Sequence, residues 1–156
     1  MKAMTKYLLS AAVVLVFLAA PALVPASTDG LVAVPLKSVN GSGQSGVAVL
    51  APTAGGYSVT VTMRGKNIQP GETDHIHSLS CARNAKLAPH AKTPTYAQVN
   101  AQYATVTVPL NNIAKGASRT RVTSPLADVT KGGFSINVHE PGYPYVTVAC
   151  GDIPKR

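Results

Sequence analysis

"YSVTVTMRG", residues 57–65, is the stretch on which the fold turns. Tyr57, Val59, Val61 and Met63 alternate with Ser58, Thr60, Thr62 and Arg64. Successive side chains of a strand point to opposite faces of a sheet, so this stretch reads as a strand with one buried face and one wet face. The same pattern extends outward from it. "VAVLA" (47–51) is a short strand between two turn-rich segments, "NGSGQSG" (40–46) and "PTAGG" (52–56). "LVAVPLKSV" (31–39) places Val32, Val34 and Leu36 on alternate positions. Downstream, "NIQPGET" (67–73) is a loop leading into "DHIH" (74–77). Further strands are expected over 103–110, 118–123, 133–140 and 145–153, punctuated by Pro125 and "TKGG". The least patterned stretch is 82–102, with two prolines and no acidic residue. No helix of normal length is expected after the N-terminus. About eight short, turn-separated strands predict an all-β domain, an antiparallel sandwich or flattened barrel.

The first 26 residues stand apart. Lys2 and Lys6 precede the uncharged run "YLLSAAVVLVFLAA" (7–20), and Val24 and Ala26 are small residues at the end of "PALVPA". That is the layout of a secretory signal peptide, with Pro21 and Pro25 interrupting the run too early for a membrane anchor. Residues 1–26 are therefore expected to be removed. Residues 27–156 form one domain without a membrane span, placed outside the cytoplasm in the envelope or secreted. Cys81 and Cys150 are far from the cut, which argues against lipid attachment, and in an exported chain they are expected to form a disulfide. The whole chain carries a formal charge of +8, and without Lys2 and Lys6 twelve basic residues still face six acidic ones. A basic surface attracts small anions. Nucleic acid is a poor match, because tryptophan is absent and the basic residues are scattered rather than banded. No serine or cysteine nucleophile with a partner base stands out, and "NGSGQSG" leads into a strand, not into a helix that could bind phosphate.

"DHIHSLSC" (74–81) is the chemical focus. In an extended segment His75 and His77 share a face while Ile76 faces the core. Two imidazoles so spaced can converge on one ion, and imidazole suits copper and zinc. "INVHE" (136–140) repeats the logic, with Ile136 and Val138 on the core side and Asn137 and His139 on the other. Three of the chain's four histidines are thus placed at strand positions facing away from the core. Asp74 and Glu140 flank them and could fix a ring tautomer, but such residues are more often exposed, and they are given no role.

"HIHSLSC" followed by "INVHEPGYPYVTVACGDI" resembles the copper/zinc superoxide dismutase superfamily. There a His-x-His strand precedes one disulfide cysteine, a later strand ends in His-Glu, and the last strand carries Ala-Cys-Gly. The resemblance implies a Greek-key, immunoglobulin-like sandwich of about eight strands. It implies that His75, His77 and His139 are copper ligands and that Cys81 pairs with Cys150. The match is nearest to exported dismutase-like proteins with this short spacing between histidine pair and cysteine. The departures are specific. From residue 82 to 127 there is no Asp or Glu, and the loop after Cys81 holds only His90, so a zinc site is not expected. His90 reads as a loop histidine rather than a fourth copper ligand. Thr147 stands where the superfamily places an arginine over the copper, with Arg119 and Arg121 the remaining candidates for that charge.

Three functions remain open at this point. The first is an exported copper-binding protein with weak or absent dismutase turnover. The second is an active copper-only superoxide dismutase guarding against oxidative stress, with superoxide as substrate. The third is an interaction module on the same fold that uses no metal.

Overall fold

The computed structural model describes residues 30–87 and 95–156; the segment read as a leader and His90 lie outside them. Eight antiparallel strands form as expected: β1 (Val32–Ser38), β2 (Gln44–Thr53), β3 (Gly56–Gly65), β4 (Thr73–His77), β5 (Val106–Pro109), β6 (Ala117–Val122), β7 (Ser135–Glu140) and β8 (Tyr143–Asp152). Their order is β5-β4-β7-β8-β1-β2-β3-β6. It divides into two four-stranded layers, joined where β1 pairs with β8 at Lys37↔Cys150 and Ser38↔Ala149. After β6 the chain returns to lie beside β4, a Greek-key connection. On the opposite side the gap between β5 and β6 is spanned by the segment that links them. The Leu110 N–H donates to the Asp74 carbonyl, and the Asn111 side chain donates to the Arg119 carbonyl. The result is a nearly closed barrel.

The alternation in β3 does what its chemistry requires. Tyr57, Val59, Val61 and Met63 are buried, and they meet Val32, Val34 and Leu36 of β1, Ala48 and Leu50 of β2, and Ile76, Ile136 and Val138 from the other layer. Each such aliphatic side chain, fully buried, contributes roughly 1.5–3 kcal/mol. The "ACG" run of β8 has a packing reason at its glycine. A Cβ on Gly151 would run into the Pro35 carbonyl oxygen and approach Val34 Cγ1 to 2.8 Å. Only a residue without a side chain lets β8 come this close to β1 at the seam between layers.

Three short helices complete the described residues: α1 (Cys81–Leu87), α2 (Tyr96–Tyr103) and α3 (Ala127–Thr130). All are shorter than the usual ~11 residues. Strand boundaries differ from expectation, most plainly at β2, which runs over Gln44–Thr53 into both flanking segments read as turns, and at β5. Tyr103 was expected to open a strand, but it ends α2, and β5 starts only at Val106. The cause is a capping box. The Thr95 hydroxyl accepts from the Gln98 N–H, and the Gln98 side chain accepts from the Thr95 N–H, starting a helix in the unpatterned stretch. Helix α1 packs against β7 and β8. Its first N–H, on Cys81, donates to the Asp152 carboxylate at 2.7 Å.

Candidate metal centre

Strands β4 and β7 are neighbours, in the register Thr73↔His139, His75↔Asn137, Ile76↔Ile136 and His77↔Ser135. Directly opposed residues of an antiparallel pair share a face. Ile76, Ile136 and Val138 therefore enter the core, while His75, His77 and His139 gather on the other side of the same layer. Their ring centroids are 5.3 to 5.8 Å apart. Each ring offers one nitrogen, and these nitrogens all lie within 4.8 Å of one another. A triangle with 4.8 Å edges has its centre about 2.8 Å from each corner, against a metal–imidazole bond of about 2.0 Å. Movement of less than about an ångström per ring closes that difference.

The nitrogens have no competing use. His139 Nδ1 and Nε2, His77 Nε2 and His75 Nδ1 are buried with no hydrogen-bond partner among the described residues. A buried polar atom left unpaired costs about 1–3 kcal/mol. Several such atoms meeting in one place form a group that a metal ion would satisfy. His77 and His139 are fully buried and His75 is half-buried, so the cluster reaches solvent on the His75 side.

Burial also sets the charge state. It lowers the His75 pKa from the ordinary imidazole value. His77 is pushed down to about 4, first by burial and then by the charge of neighbouring His75. His139 is held well below the ordinary range by burial, with His75 and His77 adding to the effect. At neutral pH all three rings are uncharged, the form that ligates metal.

A partner outside the sequence motif orients His77. Its Nδ1 lies 2.8 Å from the Thr105 hydroxyl. That hydroxyl donates its one proton to the Gln102 carbonyl at 2.7 Å. With its proton directed to Gln102, the shorter of its two acceptor contacts, it accepts from a His77 Nδ1–H, the tautomer that keeps Nε2 as the lone-pair nitrogen. Thr105 is held in turn beside Asn84 of α1, whose buried amide donates to the Leu79 carbonyl at 3.2 Å and to the Ser135 hydroxyl at 3.0 Å. Thr105 and Asn84 carry no recognisable signal in the sequence. Only the packing of α1 against β7 and β8, and the approach of Thr105 after α2 to His77, bring them to the site.

Cys81 and Cys150 form the expected disulfide, with their Cα atoms 5.9 Å apart. It fastens the start of α1 to β8 next to Asn137 of β7. Thr147 of β8 pairs with His139 of β7. Arg119 and Arg121 lie on β6 and face solvent on the other layer, so they do not stand over the histidines. Asp74 departs from its expected exposure. It points into the barrel with no exposed surface and accepts from the Ser118 hydroxyl of β6 at 2.8 Å. Burial raises its pKa to about 7. Asp74 thus ties one layer to the other, beneath rather than beside the histidines. Glu140 is half-buried at the end of β7.

Among the described residues no helix is long and apolar enough to cross a membrane. No protein-family model matches the chain, and no curated protein shows significant similarity to it. The structure itself shows an all-β barrel, one disulfide, and three histidines that could hold a metal ion.

Proposed function

We propose that this is an exported, superoxide dismutase-like protein that binds copper through His75, His77 and His139, with weak or absent dismutase turnover. The observation that carries the proposal is the group of three uncharged imidazoles with ligand nitrogens within 4.8 Å of one another, at least one nitrogen of each ring being buried with no hydrogen-bond partner among the described residues. An all-imidazole donor set matches copper better than magnesium or calcium, which prefer oxygen. Bound copper would supply a one-electron redox couple at this position. The protein's own residues supply orientation, through Thr105 on His77, and limited access, through half-buried His75. Weak turnover is expected because three candidate positions for a guiding cation do not supply one: the residue across from His139 is Thr147, and Arg119 and Arg121 face away. The twelve basic and six acidic residues outside the expected leader leave only a diffuse attraction for anions.

Copper titration followed by electron paramagnetic resonance and calorimetry tests the reading. One copper per chain is expected, with a nitrogen-rich spectrum and a raised melting temperature. Both should vanish in the His75→Ala/His77→Ala/His139→Ala variant. The absence of a stoichiometric site dependent on these histidines overturns the proposal and favours an interaction module that uses no metal. A superoxide assay on the loaded protein separates the remaining pair. Turnover well above that of free copper would make it an active copper-only dismutase.

A further inference from the structure

A second site is built into one end of the barrel, away from the histidines. A cavity of about 550 Å³ opens where the β1–β2 turn, the loop after β3 and the ends of β7 and β8 meet. None of the three histidines lines it, whereas two of the chain's six acidic residues, Glu72 and Glu140, do. In a protein of net charge +8 this is a local reversal of sign.

Glu72 has no exposed surface. Its Oε1 accepts from the Gln44 amide at 2.8 Å and from the Gln69 N–H at 3.1 Å. Its Oε2 has no partner among the described residues. Gln44 is only 4% exposed, and its nitrogen donates both to Glu72 Oε1 and to the Asn67 carbonyl at 3.1 Å. Both of those atoms only accept, which fixes the amide orientation and leaves Gln44 Oε1 likewise buried and unpartnered. Two of the donors that line the cavity are engaged elsewhere, while the exposed Asn67 and Gln69 side chains stand at its edge. The Asn40 amide donates to the Thr147 carbonyl, and the Ser42 hydroxyl to the Val148 carbonyl, each at 2.6 Å. The buried end therefore offers two free acceptors, one of them on an anion. Glu140 adds a second carboxylate toward the rim, and Val146 and Val148 supply an apolar wall.

This chemistry calls for a cation that donates several hydrogen bonds. A bare metal ion would leave most of a 550 Å³ space unfilled, since even a water takes up only about 30 Å³. We propose that the barrel mouth binds an aliphatic cation: an ammonium or guanidinium head that donates to Glu72 Oε2 and Gln44 Oε1 once the side chains covering these two buried atoms move aside, on an alkyl stem that lies against Val146 and Val148. The head belongs either to a free diamine or guanidino compound, or to a lysine or arginine side chain of another protein. This site does not depend on the copper reading.

Nuclear magnetic resonance titration of the metal-free protein tests it, because amines would compete for copper. The probes are 1,4-diaminobutane, agmatine and a blocked Gly-Lys-Gly peptide, with n-butanol and calcium chloride as controls. The expected result is a saturable shift of the Gln44 side-chain amide with the organic cations, while the His75 ring signals stay in place. Tighter binding of the free amines identifies a small solute, and tighter binding of the peptide identifies a protein side chain. Loss of one charge-assisted contact in Glu72→Gln should weaken binding about ten-fold. Glu140→Gln, at a half-buried position, should weaken it similarly even if Glu72→Gln fails to fold. The proposal is overturned if no cation gives a saturable shift, if n-butanol binds equally well, or if calcium alone binds.

Discussion

Strands β3 and β7 run through the same barrel with opposite surface economies. In β3 one face is core and the other meets water, so Thr60, Thr62 and Arg64 remain at least partly accessible. In β7 every residue from Ser135 to His139 is buried, on both faces. The β3 pattern is what an antiparallel sheet with one wet face requires. The β7 pattern means that polar side chains have been covered deliberately, by α1, by the disulfide and by the residues that follow α2. A face that buries Ser135, Asn137 and His139 needs partners for each of them. Ser135 finds them in the Leu79 carbonyl and Asn84. His139 finds none among the described residues. The open face tolerates variation, and the covered face carries chemistry.

The strongest way to break this contrast is to remove the cover. Replacing Cys81 and Cys150 by serine opens a link spanning 69 residues and should cost about 4 kcal/mol in guanidinium chloride denaturation. It should also expose His77 to solvent exchange while leaving β3 protected. Equal loosening of β3 and β7 in hydrogen exchange would show that α1 does not specifically cover β7.

The second test uses acid. An imidazole with a lowered pKa loses stability as pH falls, because the unfolded chain takes up its proton near 6.5 and folded His77 only near 4. A carboxyl with a raised pKa does the reverse. Folded Asp74 is protonated below about 7, so its contribution is lost as pH rises from its ordinary value near 3.8 through 7. Between pH 7 and 4 the two effects oppose each other. Asp74→Asn removes one arm, so the metal-free variant should lose about 3 kcal/mol more than the parent on going from pH 7 to 4. Identical pH slopes would mean that Asp74 is ionised in the folded protein.

Smaller effects sharpen the picture. Thr105→Val keeps the shape but removes the acceptor for the His77 Nδ1–H, and copper affinity should fall about ten-fold with little change in global stability. Unchanged affinity would assign Thr105 a packing role alone. On the open face, Thr60→Val between Val49 and Arg119 should change stability by less than about 0.5 kcal/mol. A larger loss in thermal denaturation would mean that this face is covered too.

Much of this was legible in the chain. Period-two alternation in 57–65 located β3 because one face of that strand meets water, and water is what makes an alternating pattern visible. The placement of His75 and His77 opposite Ile76 followed from the same rule. Helix α2 was less visible, since its eight residues carry no strong apolar stripe and its one signal is the Thr95–Gln98 capping box. Asp74 read as exposed because acidic side chains usually are. Its burial depends on Ser118, 44 residues away on the facing layer.

By itself the sequence determined the strand class, the faces of His75, His77 and His139, and a pair of cysteines fit for a disulfide. These are local consequences of side-chain alternation and of residue type. Tertiary structure alone decided that β7 lies beside β4, and so whether three histidines from distant segments share one place. It also decided that Thr105 sets the His77 tautomer and that Glu72 and Gln44 face a cavity with their acceptors unspent. Such pairings join residues with no periodic relation in the chain. They exist only once the Greek-key connection has closed the barrel and burial has stripped water from the groups it brings together.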